Sequence, residues 1–271
     1  MSNELGYRLS FSELIFLAAK TDATEIYGLK HSLKDMSPEE ISKEWDIVRD
    51  SLIEKEYLTE QDGTYIISGT LFDIMRVISH PKLFYVCQSR DELSGYNCNY
   101  YVQRDIAVKL EYEASYKDIY TLTPYRTDDD LKKSVQGFFE IPGKKFKKAN
   151  EKIRMGLDEF TEFITSITDN DKEKQMDILR KKAVSEEYIL DISKSLGEKN
   201  CLRTMLVISF DDPKVEGANV QNSVVKEYMI YGGAKYLWQV ELREKVATIE
   251  TISVDTMMHK MEILSNVLYY I

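Results

Sequence analysis

At Lys82 the spacing of the apolar residues changes. Before it they recur every three or four positions, as helices with one buried stripe require. From Leu83 onward they alternate with polar residues over short runs, as half-buried strands require. The chain therefore holds helical and strand-forming segments in separate blocks.

The helical block opens with Ser10-Phe11-Ser12-Glu13, the pattern in which a serine side chain and a carboxylate three residues on satisfy each other's backbone donors; Leu14, Leu17 and Ala18 follow at helical spacing. Ser37-Pro38-Glu39-Glu40 starts a second helix running to about Lys55, with Ile41, Trp45, Val48, Leu52 and Ile53 expected as its buried stripe. Tyr57-Leu58-Thr59, the turn Gln61-Asp62-Gly63 and Thr64–Ile67 predict a hairpin, and Gly69–Ser79 a third helix before His80-Pro81. Helix, helix, hairpin is the order of a winged helix. A DNA-reading version needs a basic recognition helix, yet residues 38–55 carry six acids (Glu39, Glu40, Glu44, Asp46, Asp50, Glu54) against Lys43, Arg49 and Lys55. The segment is read as structural or protein-facing.

Leu83–Gln88, Tyr100–Glu113 and Ile119–Tyr125 predict strands. In the second of these Ile106, Val108, Leu110 and Tyr112 alternate with Asp105, Ala107, Lys109 and Glu111. Thr127 with Asp128–Asp130 caps a helix through Phe139. The lysine-rich run from Gly143 to Lys148 then leads into Ile153, Leu157, Phe160, Phe163, Ile164 and Ile167 at helical spacing. With the polar turn Thr168–Asp171 and a second helix over about Lys172–Leu196, this predicts a central helical hairpin. Leu202–Phe210, Val224–Tyr231, Ala234–Leu242 and Val246–Ser253 predict further strands, with Gly232-Gly233 as a tight turn. Asp255 is expected to cap a closing helix carrying Met258, Met261, Ile263, Leu264, Val267 and Leu268. Strands followed by a capped helix thus occur twice. The expected divisions are 1–142, 143–199 and 200–271, within one compact unit.

Charge follows those divisions. Over 271 residues the net charge is −10. Residues 1–142 carry −9, residues 143–199 +1 and residues 200–271 −2. This balance argues against a protein that works by neutralising phosphates. No apolar run approaches the roughly 20 residues of a membrane span, and Met1-Ser2-Asn3-Glu4 lacks a signal-peptide pattern, so a cytoplasmic protein is expected. Cys87, Cys98 and Cys201 are expected as reduced thiols rather than as a Cys87–Cys98 disulfide.

Chemistry-bearing patterns are missing from the sequence. It has no G-x-S-x-G elbow and no phosphate-binding glycine loop, and His31, His80 and His259 stand far apart as surface or capping residues. It has no H-x-x-x-H or C-x-x-C pair, and Asp128–Asp130 are explained as the charged first turn of a helix. No metal, cofactor or catalytic residue is assigned, and a non-enzymatic binding protein is the leading class. Enzymatic function would need a site assembled only in three dimensions.

The order of elements resembles the EspG family, the cytosolic chaperones of type VII (ESX) secretion. The matching features are Leu9-Ser10-Phe11-Ser12-Glu13-Leu14, the helix and hairpin over Leu52–Ile67, and two strand-rich halves separated by helices. Most similar is the C-terminal stretch: Val225–Ile230, then Gly233-Ala234-Lys235-Tyr236-Leu237, a further strand and a closing helix. Lys235 stands where that family usually has Arg.

The resemblance implies an α+β fold: a quasi-twofold pair of antiparallel sheet-and-helix halves, with a winged-helix-like N-terminal segment and a central helical hairpin. It also implies a non-enzymatic chaperone that covers the tip of a helical-hairpin substrate, of the WXG or LXG type in a relative from a low-GC Gram-positive bacterium. A polar strand face could grip such a tip through side-chain hydrogen bonds around a few apolar anchors. The candidate partner-binding residues are Gln103, Lys109 and Glu111 on one sheet and Lys235, Gln239 and Glu241 on the other. The alternative is a winged-helix transcriptional regulator with a C-terminal sensing domain.

Overall fold

Two reciprocal serine–glutamate caps set the first helices. The computed structural model describes residues 6–23, 26–29, 37–89, 97–103, 106–113, 119–139, 141, 145–197, 203–209, 225–232, 234–243, 245–257 and 259. They fall into two units, one of residues 1–86, 98–131 and 208–224, the other of residues 87–97, 132–207 and 225–271.

In the first unit, β1 (Tyr7–Ser10) leads into α1 (Phe11–Ala19). The Ser10 hydroxyl accepts the Glu13 N–H at 3.2 Å and the Glu13 carboxylate accepts the Ser10 N–H at 2.7 Å. The same exchange joins Ser37 and Glu40 at the start of α2 (Pro38–Glu54), at 3.3 and 2.8 Å. Val48 and Leu52 are buried, and Trp45 packs against Phe16 and Tyr65. Ile53, expected in the buried stripe, is 38% exposed because Leu52 already holds the inward position and the next residue lies 100° around the helix.

A hairpin of β2 (Leu58–Gln61) and β3 (Thr64–Ile67) turns through Asp62 and Gly63, both at positive φ (51° and 72°), the paired conformation a two-residue hairpin loop demands. α3 (Gly69–Ser79) follows, then β4 (Leu83–Ser89), β5 (Asn97–Gln103), β6 (Ile106–Tyr112) and β7 (Ile119–Tyr125). The strand order is β1-β7-β6-β5-β4. β1 went unpredicted: four residues are too few to show a period, and its pairing with β7, Leu9 opposite Tyr120, makes it a strand. Leu9, Tyr101, Val108, Leu110 and Leu122 share one core with Leu14 and Leu17 of α1 and Leu71, Ile74 and Ile78 of α3.

α4 (Asp128–Phe138) begins where the Thr127 hydroxyl accepts the Asp130 N–H, as expected. In the second unit β8 (Lys152–Gly156) precedes α5 (Leu157–Thr168), α6 (Lys172–Lys181) and α7 (Glu186–Gly197). Ile153 is therefore a strand residue, not the first of a helix. Its four-residue spacing to Leu157 suits a helix, but pairing with β12 extends the backbone up to Gly156. The helical hairpin is present and its second arm is broken. Ala183, at φ 57°, takes the left-handed conformation that ends α6, as Asn170, at 56°, does after α5.

β9 (Arg203–Ser209), β10 (Val225–Gly232), β11 (Leu237–Arg243) and β12 (Val246–Ile252) follow, with the strand order β9-β10-β11-β12-β8. Gly232 pairs with Leu237, so the connection between β10 and β11 is the four residues 233–236 rather than a Gly232-Gly233 turn. Ser253, not Asp255, caps the closing helical turn, its hydroxyl accepting the Thr256 N–H at 2.9 Å. Met258 and residues 261–268 lie outside the described residues, as do His31 and Cys201. Ile153, Met155, Trp238, Val240, Ala247 and Ile249 form the core against Phe160 and Phe163 of α5, Ile178 and Leu179 of α6 and Ile189 and Ile192 of α7. The fold is α+β, with antiparallel sheet and helices in both units.

Candidate partner-binding faces

A strand shows alternate side chains to opposite faces, and directly paired residues share a face, so the ladder registers assign every polar candidate. In the second unit the helices cover Trp238, Val240, Ala247, Ile249, Ile153 and Met155. Gln239, Glu241 and Arg243 of β11 therefore lie on the opposite face, in register with Glu250, Thr248 and Val246 of β12. The next strand continues the rows with Lys152, Arg154 and Gly156 of β8. Lys152 reaches Glu250 at 3.0 Å, and Arg243 grips Glu241 at 2.6 Å two residues along the same strand. The outer part of this face is a mixed-charge surface. Gln239, at its inner end, is 1% exposed and closed off from solvent.

Lys235 occupies the β10–β11 connection, tied by α7. Asp191, 5% exposed, accepts the Lys235 N–H at 2.8 Å, the Tyr236 N–H at 3.3 Å and the Trp238 indole N–H at 2.9 Å. One helical turn earlier, Glu187 accepts from the Lys235 ammonium and from the Tyr236 hydroxyl, each at 3.1 Å, with the Lys147 ammonium at 3.6 Å. The Lys235 hydrogen bond, then that from Tyr236 and the charge of Lys235, hold the Glu187 carboxyl below its usual range. Burial and the facing carboxylate push the Tyr236 hydroxyl up to about 12. The rings of Tyr188, Tyr236 and Trp238 pack together beside this knot, with centroids 4.9 to 6.1 Å apart. The turn is held from α7 through side chains and its own backbone.

In the first unit the helices cover Val108 and Leu110, so Lys109 and Glu111 face away from them and pair with each other at 2.7 Å. Thr123 and Thr121 of β7 stand beside them, and Arg8 of β1 stands beside Thr121. Arg8 holds Glu113 at 2.8 Å. A hydrogen bond from Thr121 and the Arg8 guanidinium together keep the Glu113 carboxyl below its usual range. Gln103 is not part of this group. It pairs with Ile106, which puts it on the helix-covered side of the pleat, at the strand's end.

Sequence reading placed Lys109, Glu111 and Glu241 on the faces turned from the helices, because strand alternation marks them; Lys109 and Glu111 are largely enclosed there, their side chains 12% and 23% exposed beside the buried Tyr100 and Cys98. It missed Arg154, Lys152 and Glu250, which share the second face only through pairing between segments about 100 positions apart. It also missed Asp191 and Glu187, although their i, i+4 spacing on a predicted helix puts two carboxylates on one face.

No group of His, Cys, Asp and Glu side chains suited to a metal ion occurs among the described residues. His80 ends α3 and its Nε2 meets the Thr21 carbonyl at 3.0 Å. Cys87 and Cys98 are buried thiols. Among the described residues no helix is long and apolar enough to cross a membrane.

No protein-family model matches the sequence. No curated protein matches it either. Among solved structures, the full-length peroxisomal multifunctional enzyme type 2 from Drosophila melanogaster superposes with a TM-score of only 0.15, which carries no argument. The Mycobacterium tuberculosis type VII secretion system chaperone EspG5, solved in complex with the PE25–PPE41 dimer, superposes with a TM-score of 0.60. The match covers 93% of each chain at 12% identity. The chain has the fold of EspG5.

Proposed function

We propose that this protein is a non-enzymatic cytosolic chaperone of type VII secretion. It binds the tip of a helical-hairpin substrate, of the WXG or LXG type, and keeps the apolar end covered before export. The observation that carries this reading is the EspG5 fold over 93% of both chains, EspG5 having been solved with a bound PE25–PPE41 dimer. The two sheet faces turned from the helices supply the chemistry. Lys109, Glu111, Lys235 and Glu241 are the proposed polar contacts; Gln103, on the helix-covered side of the pleat, and Gln239, closed off from solvent, are not among them. The exposed Glu241–Arg243 pair is worth at most about 1 kcal/mol, so exchanging it for an intermolecular pair costs little.

Co-expression with a small helical-hairpin secretion substrate encoded beside this protein tests the reading. The expected result is a one-to-one complex in size-exclusion chromatography, weakened at least tenfold by Lys109→Ala combined with Glu241→Ala. Independent elution of two soluble proteins overturns it.

A further inference from the structure

The outer surface of α2 takes no part in these faces and has its own composition. Among the described residues, four of the nine large apolar side chains that stand exposed fall between positions 47 and 72: Ile47, Ile53, Ile66 and Phe72. Ile47 is the most exposed of all nine, at 68%. At 100° per residue, Ile47, Asp50 and Ile53 lie 60° apart in sequence around the side of α2 opposite its buried Val48 and Leu52. Two isoleucines on that side of a helix are not needed to hold it down, because Val48, Leu52, Trp45 and Ile41 already do so.

Charge surrounds them. Residues 38–54 hold six acids against Lys43 and Arg49. Arg49 is occupied by Asp46 at 2.8 Å and Asp50 at 2.9 Å, both on α2 itself. Glu39, Glu44 and Glu54 form no ion pair among the described residues, and Lys43, four positions before Ile47, is the facing cation. A second copy presenting the same face would set acids against acids, and nucleic acid or an anionic membrane would be repelled outright. What fits two isoleucines separated by Asp50 and flanked by further carboxylates is a helix whose apolar side chains are interleaved with Lys and Arg.

We propose that the outer face of α2 is a docking surface for a basic amphipathic helix of a partner protein, separate from the sheet faces proposed to hold the secretion substrate. The inference stands whether or not the chaperone reading does.

The test uses the full chain and a fluorescein-labelled 18-residue helical peptide of Leu and Lys (about five turns), its scrambled form and a Leu/Glu counterpart, followed by fluorescence anisotropy. The Leu/Lys helix is expected to bind at least tenfold more tightly than either control. Ile47→Ser with Ile53→Ser, and separately Glu39→Gln with Glu44→Gln and Glu54→Gln, should each weaken it at least tenfold. Thermal melting confirms that both variants remain folded, and the charge variant keeps the test decisive if the isoleucine variant does not fold. Equal binding of the scrambled peptide, or unchanged binding by a folded variant, overturns the proposal. Loss of the co-eluting substrate in the same variants would overturn the separation of the two surfaces.

Discussion

Among the described residues each unit encloses one carboxylate that the chain has taken out of water, and the two are held in different ways. Glu13 of α1, 2% exposed, meets the Lys55 ammonium with both oxygens at 2.7 Å, the Ser51 hydroxyl at 2.7 Å and the Ser10 N–H at 2.7 Å. Asp191 of α7 gathers two backbone N–H groups and an indole N–H from the β10–β11 connection and β11. The first carboxylate joins helix to helix through a counter-charge whose stem reaches solvent. The second joins helix to turn through neutral donors that have nowhere else to go. The comparison teaches that a buried acid tolerates loss according to what it leaves behind: Lys55 can swing into water, whereas the Tyr236 N–H and the Trp238 indole N–H under α7 stay buried and unsatisfied.

The largest effect is therefore expected at Asp191. Asp191→Ala should destabilise the second unit by about 3–5 kcal/mol, measured by urea denaturation. The chain has two tryptophans, Trp45 and Trp238, so a Trp45→Phe background lets fluorescence report that unit separately. A loss no greater than that of the Glu13 variant would break the comparison.

Glu13→Gln should cost about 1–3 kcal/mol at pH 7, and its cost should depend on pH. Burial pushes the Glu13 carboxyl up, but the hydrogen bonds from Lys55, Ser10 and Ser51 and the charge of Lys55 outweigh it, so the folded value lies below 4.5. A lowered folded value means the contribution is fully present above about pH 4.5 and is lost as pH falls through the folded value. Denaturation of Glu13→Gln beside the parent from pH 7 to pH 3 should show the two converging at the acid end.

Trp238→Phe removes one of the three donors to Asp191 while keeping a ring in the core, and about 1–2 kcal/mol is expected. Smallest are the caps. Ser37→Ala should cost about 1 kcal/mol, and Ser10→Ala somewhat more, because its partner Glu13 also anchors Lys55 and Ser51. Equal costs for the two serines would show that the Glu13 network does not depend on its cap.

Local signals were legible to the degree that they are local. Ser10-x-x-Glu13, Ser37-Pro38-x-Glu40, Asp62-Gly63 and Thr127 each act within four residues, and each forms what its spacing implies. Ile153 and Gly232 misled for the opposite reason. Their neighbours permit a helix and a turn, and only the pairing of Ile153 with Ile249 and of Gly232 with Leu237 makes them strand residues. The candidate faces divide the same way. Alternation along β6 turns Lys109 and Glu111 away from the helices, but Gln103, on the neighbouring strand, belongs to the other side of the pleat, which only the register shows.

By itself the sequence determined the helix starts, the hairpin turn, the change of period at Lys82 and the acidity of the first 142 residues, because caps, turns and charge are set within a few positions. Tertiary structure alone decided which strands neighbour one another, that Lys152 meets Glu250 across 98 positions, and that Asp191 holds the Lys235–Trp238 segment 44 to 47 residues away. Those choices depend on closing long loops to bury apolar faces, a free energy that no short stretch of the chain contains.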